Sequence, residues 1–215
     1  MALTLHSYWR ATAPYRVRIG LALKGLSFDY APINLLKGEH GATSYKGGLN
    51  RQGLVPALEA DGHVLTQSLA ILEWLEETHP QPPLLPADPF DRAAVRAMAD
   101  IVACDIHPLN NLRILQALDA LGHPMGGEEQ QAWGQRWITD GLSALEAMVA
   151  AHGAGFCFGE TPTLADCVVI PQLWSSNRFG VDIADFPALA RVFERAAAHP
   201  AFQLAHPDRQ PDKPA

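Results

Sequence analysis

Cysteine is scarce in this chain: three in 215 residues, Cys104, Cys157 and Cys167, with no C-x-x-C pair among them. That excludes a disulfide scaffold and a paired-thiol redox or zinc motif, and an odd, low count reads as buried, apolar thiols in a reducing compartment. Basic charge is also short, with 16 Lys and Arg against 23 Asp and Glu for a net charge of −7, and no basic stripe is interleaved with aromatics. A nucleic-acid partner is excluded on that ground, because phosphate-backbone binding needs clustered cations. Nine histidines show no H-E-x-x-H or other ligand spacing, so no metal is expected. The opening Met1-Ala2-Leu3-Thr4-Leu5 has no positive region before it and meets charge at Arg10, which fits neither a signal peptide nor a membrane span. A cytoplasmic protein without a membrane partner is the expectation. No internal repeat or low-complexity tract is present.

Proline, by contrast, is concentrated. Pro80, Pro82, Pro83, Pro86 and Pro89 crowd a stretch that cannot continue a helix and reads as a stiff linker over 81–90. Before it, over 1–80, strand-like and helix-like segments alternate. Leu3 to Tyr8 reads as a strand, Tyr15 to Lys24 as a helix ending at Gly25, and Phe28 to Asn34 as a strand. A loop-rich stretch follows, then a hairpin of Val55 to Ala60 and His63 to Thr66 about Asp61-Gly62, and a helix Leu69 to Glu77. This order predicts an α/β domain with a mixed four-stranded sheet of thioredoxin-like arrangement. After the linker, over 91–215, only helical periodicity is found: about 90 to 119 with a bend near Pro108, 128 to 151, 163 to 176 and 187 to 198. An all-α bundle is predicted, with Thr163-Leu164-Ala165-Asp166 as a capping box on its central helix. The tail from Pro207 reads as loose. At this length the chain should bury roughly 70–75% of its unfolded surface.

Three segments could carry chemistry. Val55-Pro56 places a proline in a strand, where it removes a ladder donor and so suits an edge or bend that can meet a ligand through bare backbone. Gln67-Ser68 opens a helix, whose free N–H groups and dipole favour a carboxylate. A short peptide could dock across the two, although each taken alone also reads as an aggregation-blocking edge and a helix cap. The third segment, Ser7 to Ile19, leaves the first strand for the first helix, with Pro14 suited to the first helical position and Thr12 at or beside the N-cap. Thr12 reads either as a capping hydroxyl or as a donor to a thiolate, since sulfur pKa values fall at a helix N-terminus. Arg10, Arg113 and Arg178 are the candidate cations for an anionic substrate. His107, Asn110 and Arg113 step by three along one expected helix, drifting about 60° per step and forming one broad face. Arg113 reads equally as a solvated side chain, Arg178 as a charge at a helix C-terminus, and His107 as a core or capping group. Trp133 and Trp137, at i and i+4, read as packing, and Arg16 and Arg18 as surface or structural charges.

Together, a Val-Pro and Gln-Ser α/β half, a proline-rich linker and a helical half resemble a soluble glutathione transferase. Arg10-Ala11-Thr12-Ala13-Pro14-Tyr15-Arg16-Val17-Arg18-Ile19, Gln67-Ser68-Leu69-Ala70-Ile71, Asp105-Ile106-His107-Pro108-Leu109-Asn110-Asn111 and the closing Arg209-Gln210-Pro211-Asp212 resemble the zeta class, the maleylacetoacetate isomerases. The match covers nearly the whole chain. In one place it departs: the class pattern has Ser-Ser-Cys where this chain has Ala11-Thr12-Ala13, so a mechanism needing the first hydroxyl or the cysteine is not carried over.

The resemblance implies glutathione as cofactor, bound by Thr12, His40, Val55, Pro56, Gln67, Ser68, His107, Asn111 and Arg113. Its γ-glutamyl carboxylate would lie at Gln67-Ser68, its cysteinyl backbone antiparallel to Val55 and its sulfur near Thr12. It implies a homodimer, and a cis-to-trans isomerisation of a dicarboxylic diketo acid, with Thr12, Arg10 and Arg178 as catalytic residues and Arg10, Arg113 and Arg178 binding substrate. A thiol of pKa about 8.5 is a few per cent ionised at pH 7, so full ionisation gains roughly 30-fold at most. Donors to the developing enolate must supply more, at roughly 10²–10³ each, and arginines are suited to it. The expected substrate is maleylacetoacetate, from aromatic amino-acid breakdown. Maleylpyruvate, conjugation of apolar electrophiles, and glutathione binding without turnover are the alternatives.

Overall fold

The computed structural model describes residues 2–214. The chain forms two compact units, Met1–Leu84 with Ala198–Ala215, and Leu85–Ala197. The first unit begins β1 (Leu3–Ser7), α1 (Thr12–Leu23), β2 (Asp29–Pro32), α2 (Thr43–Gly48), β3 (Ala57–Ala60), β4 (His63–Thr66) and α3 (Ser68–Thr78). Its sheet has the order β2-β1-β3-β4, with β1 and β2 parallel and the other pairs antiparallel. This is the expected mixed four-stranded sheet. The β3–β4 turn has positive φ at both Asp61 (48°) and Gly62 (83°), the backbone that a two-residue hairpin requires. Gly20 lets α1 approach α3, since a Cβ there would run into the Leu72 side chain.

Two features of this unit differ from the sequence reading. The strand expected from Val55 starts at Ala57 and lies inside the sheet, between β1 and β4, so Pro56 sits at its entrance and not on a sheet edge. The tail from Pro207, which follows α9 (Pro200–Ala205) packed on α1, is not loose: Asp212 accepts from the Trp9 amide and from Tyr30 OH. Composition marks the tail as polar, but its polar groups have partners far away in the sequence.

The second unit holds α4 (Pro89–Asp100), a π-helical turn (Ile101–Ile106), α5 (Leu112–Ala120), α6 (Glu128–His152), α7 (Leu164–Ser176) and α8 (Pro187–Ala198, whose last residue falls in the first unit). Asp88 caps α4 by accepting from the Phe90 and Asp91 amides, with Pro89 at the first helical position, where its missing N–H is harmless. Helix α7 is buried on nearly all sides, as its mostly apolar sequence favours, and its buried Ser175 and Ser176 hydroxyls donate to the Gln172 carbonyl. Asp166, fully buried, accepts from the Thr163 amide (2.7 Å), the Thr163 hydroxyl (2.9 Å) and the Cys157 amide (2.8 Å). The expected cap at Thr163 is therefore built around this carboxylate. Trp133 and Trp137 pack edge to face at 5.7 Å. Cys157 and Cys167 are buried, whereas Cys104 is exposed, because at 3.6 residues per turn it stands roughly opposite Val95 and Val102 of the buried apolar stripe.

Candidate functional site

Strand register assembles the site in the first unit. His6 on β1 pairs with Ala57 on β3, and Ala57 pairs with Thr66 on β4. The segments just past those residues are Tyr8 to Thr12, Val55-Pro56 and Gln67-Ser68, so all three are brought to the same end of the sheet. A shift of register by one residue would turn every side chain to the opposite face.

Thr12 is the first residue of α1 and is buried, at 5% exposure. Ala11 occupies the N-cap with no side-chain hydrogen bond, so Thr12 is not the capping hydroxyl, and Pro14 stands later in the first turn than expected. The chain turns into the helix through the Ala11 amide, which donates to Tyr8 O at 3.1 Å. Beside it, Arg10 is half-buried with its guanidinium carbon 6.0 Å from the Trp9 ring centroid.

At α3, Gln67 is the N-cap with φ 68° and no side-chain cap, and Ser68 is buried behind it. Arg16, itself buried on α1, donates from Nη1 to Ser68 Oγ at 3.2 Å. A guanidinium and a helix N-terminus thus favour negative charge at the same hydroxyl. Gln67 Nε2 donates to Gln52 Oε1 at 2.7 Å.

Before β3, the Leu54 carbonyl accepts from both Tyr45 OH (2.8 Å) and Asn50 Nδ2 (2.7 Å). Burial pushes the Tyr45 phenol up to about 12, so it remains a donor at neutral pH. These two donors fix the approach to the cis Val55–Pro56 peptide. No other described residue hydrogen-bonds the Val55 amide or carbonyl, which leaves both groups able to pair with a peptide. His40 lies in the short 3-10 turn Glu39–Gly41, with its Nδ1 buried and without a hydrogen-bond partner.

The second unit separates residues that the sequence grouped. The His107 amide closes the π-helical turn on Val102 O at 2.8 Å, and the chain then leaves the helix. Asn110 Nδ2 donates to Ile106 O at 3.0 Å, while Asn111 caps α5 by accepting from the Arg113 amide at 3.2 Å. His107, Asn110 and Arg113 therefore do not share one helical face: the proline at 108 ends one helix and Asn111 starts another. Arg113 is exposed, and Arg178 is exposed in the turn Asn177–Phe179 with its guanidinium carbon 5.3 Å from the Trp174 ring centroid. Cys157 is no nucleophile, because burial, with Asp166 beside it, pushes its thiol well above the usual range.

Residues 1–77 match the family described as glutathione S-transferase, N-terminal domain, and residues 128–195 match glutathione S-transferase, C-terminal domain. This chain is 48% identical to a maleylacetoacetate isomerase of Pseudomonas aeruginosa over 99% of its own length and 100% of that protein's. The chain belongs to the zeta-class glutathione transferase family. Among solved structures, a bacterial zeta-class maleyl pyruvate isomerase superposes with a TM-score of 0.93 at 45% identity, covering 98% of this chain and 100% of its own. A maleylacetoacetate isomerase of Anaeromyxobacter dehalogenans with bound GSH in its active site gives a TM-score of 0.88 at 46% identity, covering 99% of this chain and 98% of its own. Within this glutathione transferase, sequence reasoning missed Tyr45, Asn50, Gln52 and the inward course of Arg16. Only Arg16 had a local signal, its place in the family motif, while the others act through contacts that no motif records.

Proposed function

We propose that this protein is a glutathione-dependent isomerase that converts maleylacetoacetate to fumarylacetoacetate. The observation that carries the reading is the register-driven meeting of the Tyr8 to Thr12 loop, the unpaired backbone at Val55 and the Arg16-backed N-terminus of α3 at one end of the sheet. Those groups fit an extended tripeptide: a carboxylate at Gln67-Ser68, a backbone paired with Val55 across Pro56, and a thiol at Thr12. Bound glutathione supplies a nucleophilic thiol for reversible addition to the substrate's cis double bond.

Thr12 donates a hydrogen bond that holds this sulfur as its thiolate. Arg10, on the same loop, is the donor to substrate oxygens as negative charge develops on them, and Arg178 and Arg113 take the substrate's carboxylates. His40, His107 and Asn111 are further contacts to glutathione, with Asn111 offering what its cap leaves over. The division into a glutathione-binding domain (1–80), a linker (81–90) and a substrate domain (91–215) follows from the same reading, with the closing residues returned to the first unit. The functional form is a cytoplasmic homodimer acting in aromatic amino-acid catabolism, and no helix among the described residues is long and apolar enough to cross a membrane.

A second reading, isomerisation of maleylpyruvate, is favoured by the likeness to the maleyl pyruvate isomerase structure. Following the absorbance of maleylacetoacetate and maleylpyruvate with and without glutathione separates the two. Glutathione-dependent turnover of maleylacetoacetate at the higher kcat/KM is expected, and faster conjugation of an aryl halide than of either isomerisation would overturn the proposal. Thr12→Ser should keep most of the activity, and Thr12→Ala should lose roughly tenfold or more, because only the former retains a donor.

A further inference from the structure

The closing Arg209-Gln210-Pro211-Asp212 takes no part in the chemistry above, yet it folds onto the loop that carries Arg10 and Thr12. Asp212 Oδ2 accepts from the Trp9 amide at 3.0 Å, and its Oδ1 accepts from Tyr30 OH at 2.6 Å. Arg18, only 1% exposed, completes the arrangement from below: Nη2 donates to Trp9 O at 2.9 Å, Nη1 to Ser7 Oγ at 3.0 Å and Nε to Ala205 O at 3.0 Å. Both peptide groups of Trp9 are thereby held by charged side chains, one from the tail and one from α1, in the residue directly before Arg10. Charge-assisted bonds of this kind are about twice as strong as neutral ones.

The tail is braced in turn. Gln210 Nε2 donates to His206 O at 2.8 Å, and Lys213 pairs with Asp208 at 2.7 Å. Burial, and then the bond to Asp212, keep the Tyr30 phenol far above its ordinary range, so it donates across the whole span of an assay. Burial lowers Arg18 to about 10, which leaves it charged at neutral pH.

We propose that Asp212 is a positioning residue for catalysis: by fixing the Trp9 peptide it sets where the Arg10 guanidinium and the Thr12 hydroxyl stand relative to the reacting thiol. This rests on the proposed placement of sulfur at Thr12. The physical reason is leverage, since the loop enters α1 without a side-chain cap, and displacement of about 1 Å at a reacting group can lower a rate by 10²-fold.

The test is the pH profile of kcat/KM for glutathione-dependent isomerisation of maleylacetoacetate in full-length Asp212→Ala, Asp212→Asn, Tyr30→Phe and Thr12→Ala, with the melting temperature of each. Asp212→Ala should lower kcat about tenfold, leave KM for the maleyl acid near its original value, and move the acid limb upward by about one pH unit as the thiolate loses its donor. Asp212→Asn, which keeps one acceptor and the side-chain volume, should recover part of both and carries the test if the alanine variant fails to fold. Tyr30→Phe should show the smaller change. A lowered melting temperature with the acid limb unmoved and kcat within about twofold, while Thr12→Ala does move the limb, would overturn the positioning role alone. If Thr12→Ala leaves the limb in place and Asp212→Ala shifts it, the tail governs the loop through Arg10, and the Thr12 assignment falls instead. If neither variant moves it, both fall.

Discussion

The two units solve the problem of charge in opposite ways. In the first, Arg16, Arg18, Lys24 and Glu76 are buried and tied to backbone or side-chain partners. In the second, among the described residues, Asp166 is the buried charged group, while Arg113 and Arg178 lie exposed. The first unit uses charge to fix loop backbone: buried Arg18 and half-buried Asp212 on Trp9, and buried Lys24 and Glu76 on the carbonyl of Pro82 and the amide of Leu84. The second is held by apolar burial around α7, with Arg113 and Arg178 at its surface, where an anion can reach them. Buried charge gives position and exposed charge gives capture, so the two kinds of arginine should respond differently to removal.

The largest effect should come from the first unit. Lys24→Ala leaves Glu76 buried without the ammonium at 2.6 Å and should destabilise the fold by about 3–5 kcal/mol in a urea titration. An effect below about 1 kcal/mol, the size of an exposed pair, would break the contrast between the units. Next, Asp166→Ala strips the acceptor from the Cys157 and Thr163 amides at a buried site and should lower stability by about 2–3 kcal/mol. Arg178→Ala sharpens the comparison from the other side: a stability change within about 0.5 kcal/mol, with a fall of roughly 10–10² in kcat/KM for the diketo acid.

The smallest effect is in pH. Burial, the first cause, lowers the His206 pKa below 6.5, helped by Arg18 and Lys213 and opposed by Asp208. A lowered folded value means the neutral ring is favoured in the fold, where its Nδ1 accepts from the Asp208 amide at 3.2 Å. Its contribution is complete above pH 6.5 and is lost as pH falls below that value. The melting temperature should drop slightly between pH 7.5 and 5.5, and less so in His206→Gln.

Much of the first unit was legible locally. Asp61-Gly62 declared its hairpin because both residues tolerate positive φ, and Thr163 with Asp166 declared the start of α7 because capping is settled within one turn. Pro108 marked a real break, but periodicity carried the helix through it and put His107 and Arg113 on one face, since three-residue spacing cannot register a new cap at Asn111. Cys104 was misjudged because the cysteine count was read without its place on the helix, where it stands opposite the buried stripe of Val95 and Val102. Of the site, Val55-Pro56, Gln67-Ser68 and Thr12 were visible as residue types suited to a peptide thiol, whereas the donors that fix them were not.

Sequence by itself determined the order of elements, the turn and cap chemistry, and the division into a mixed α/β half and a helical half. These rest on interactions within a few residues, which spacing records directly. Only the tertiary structure decided that three separate loops share one end of the sheet, that Arg16 and Arg18 turn inward, and that the tail closes on Trp9 from 203 residues away. Such contacts depend on strand register and on which buried polar groups find partners, and the free energy of a paired buried charge belongs to both partners at once, so neither residue's local neighbourhood reveals it.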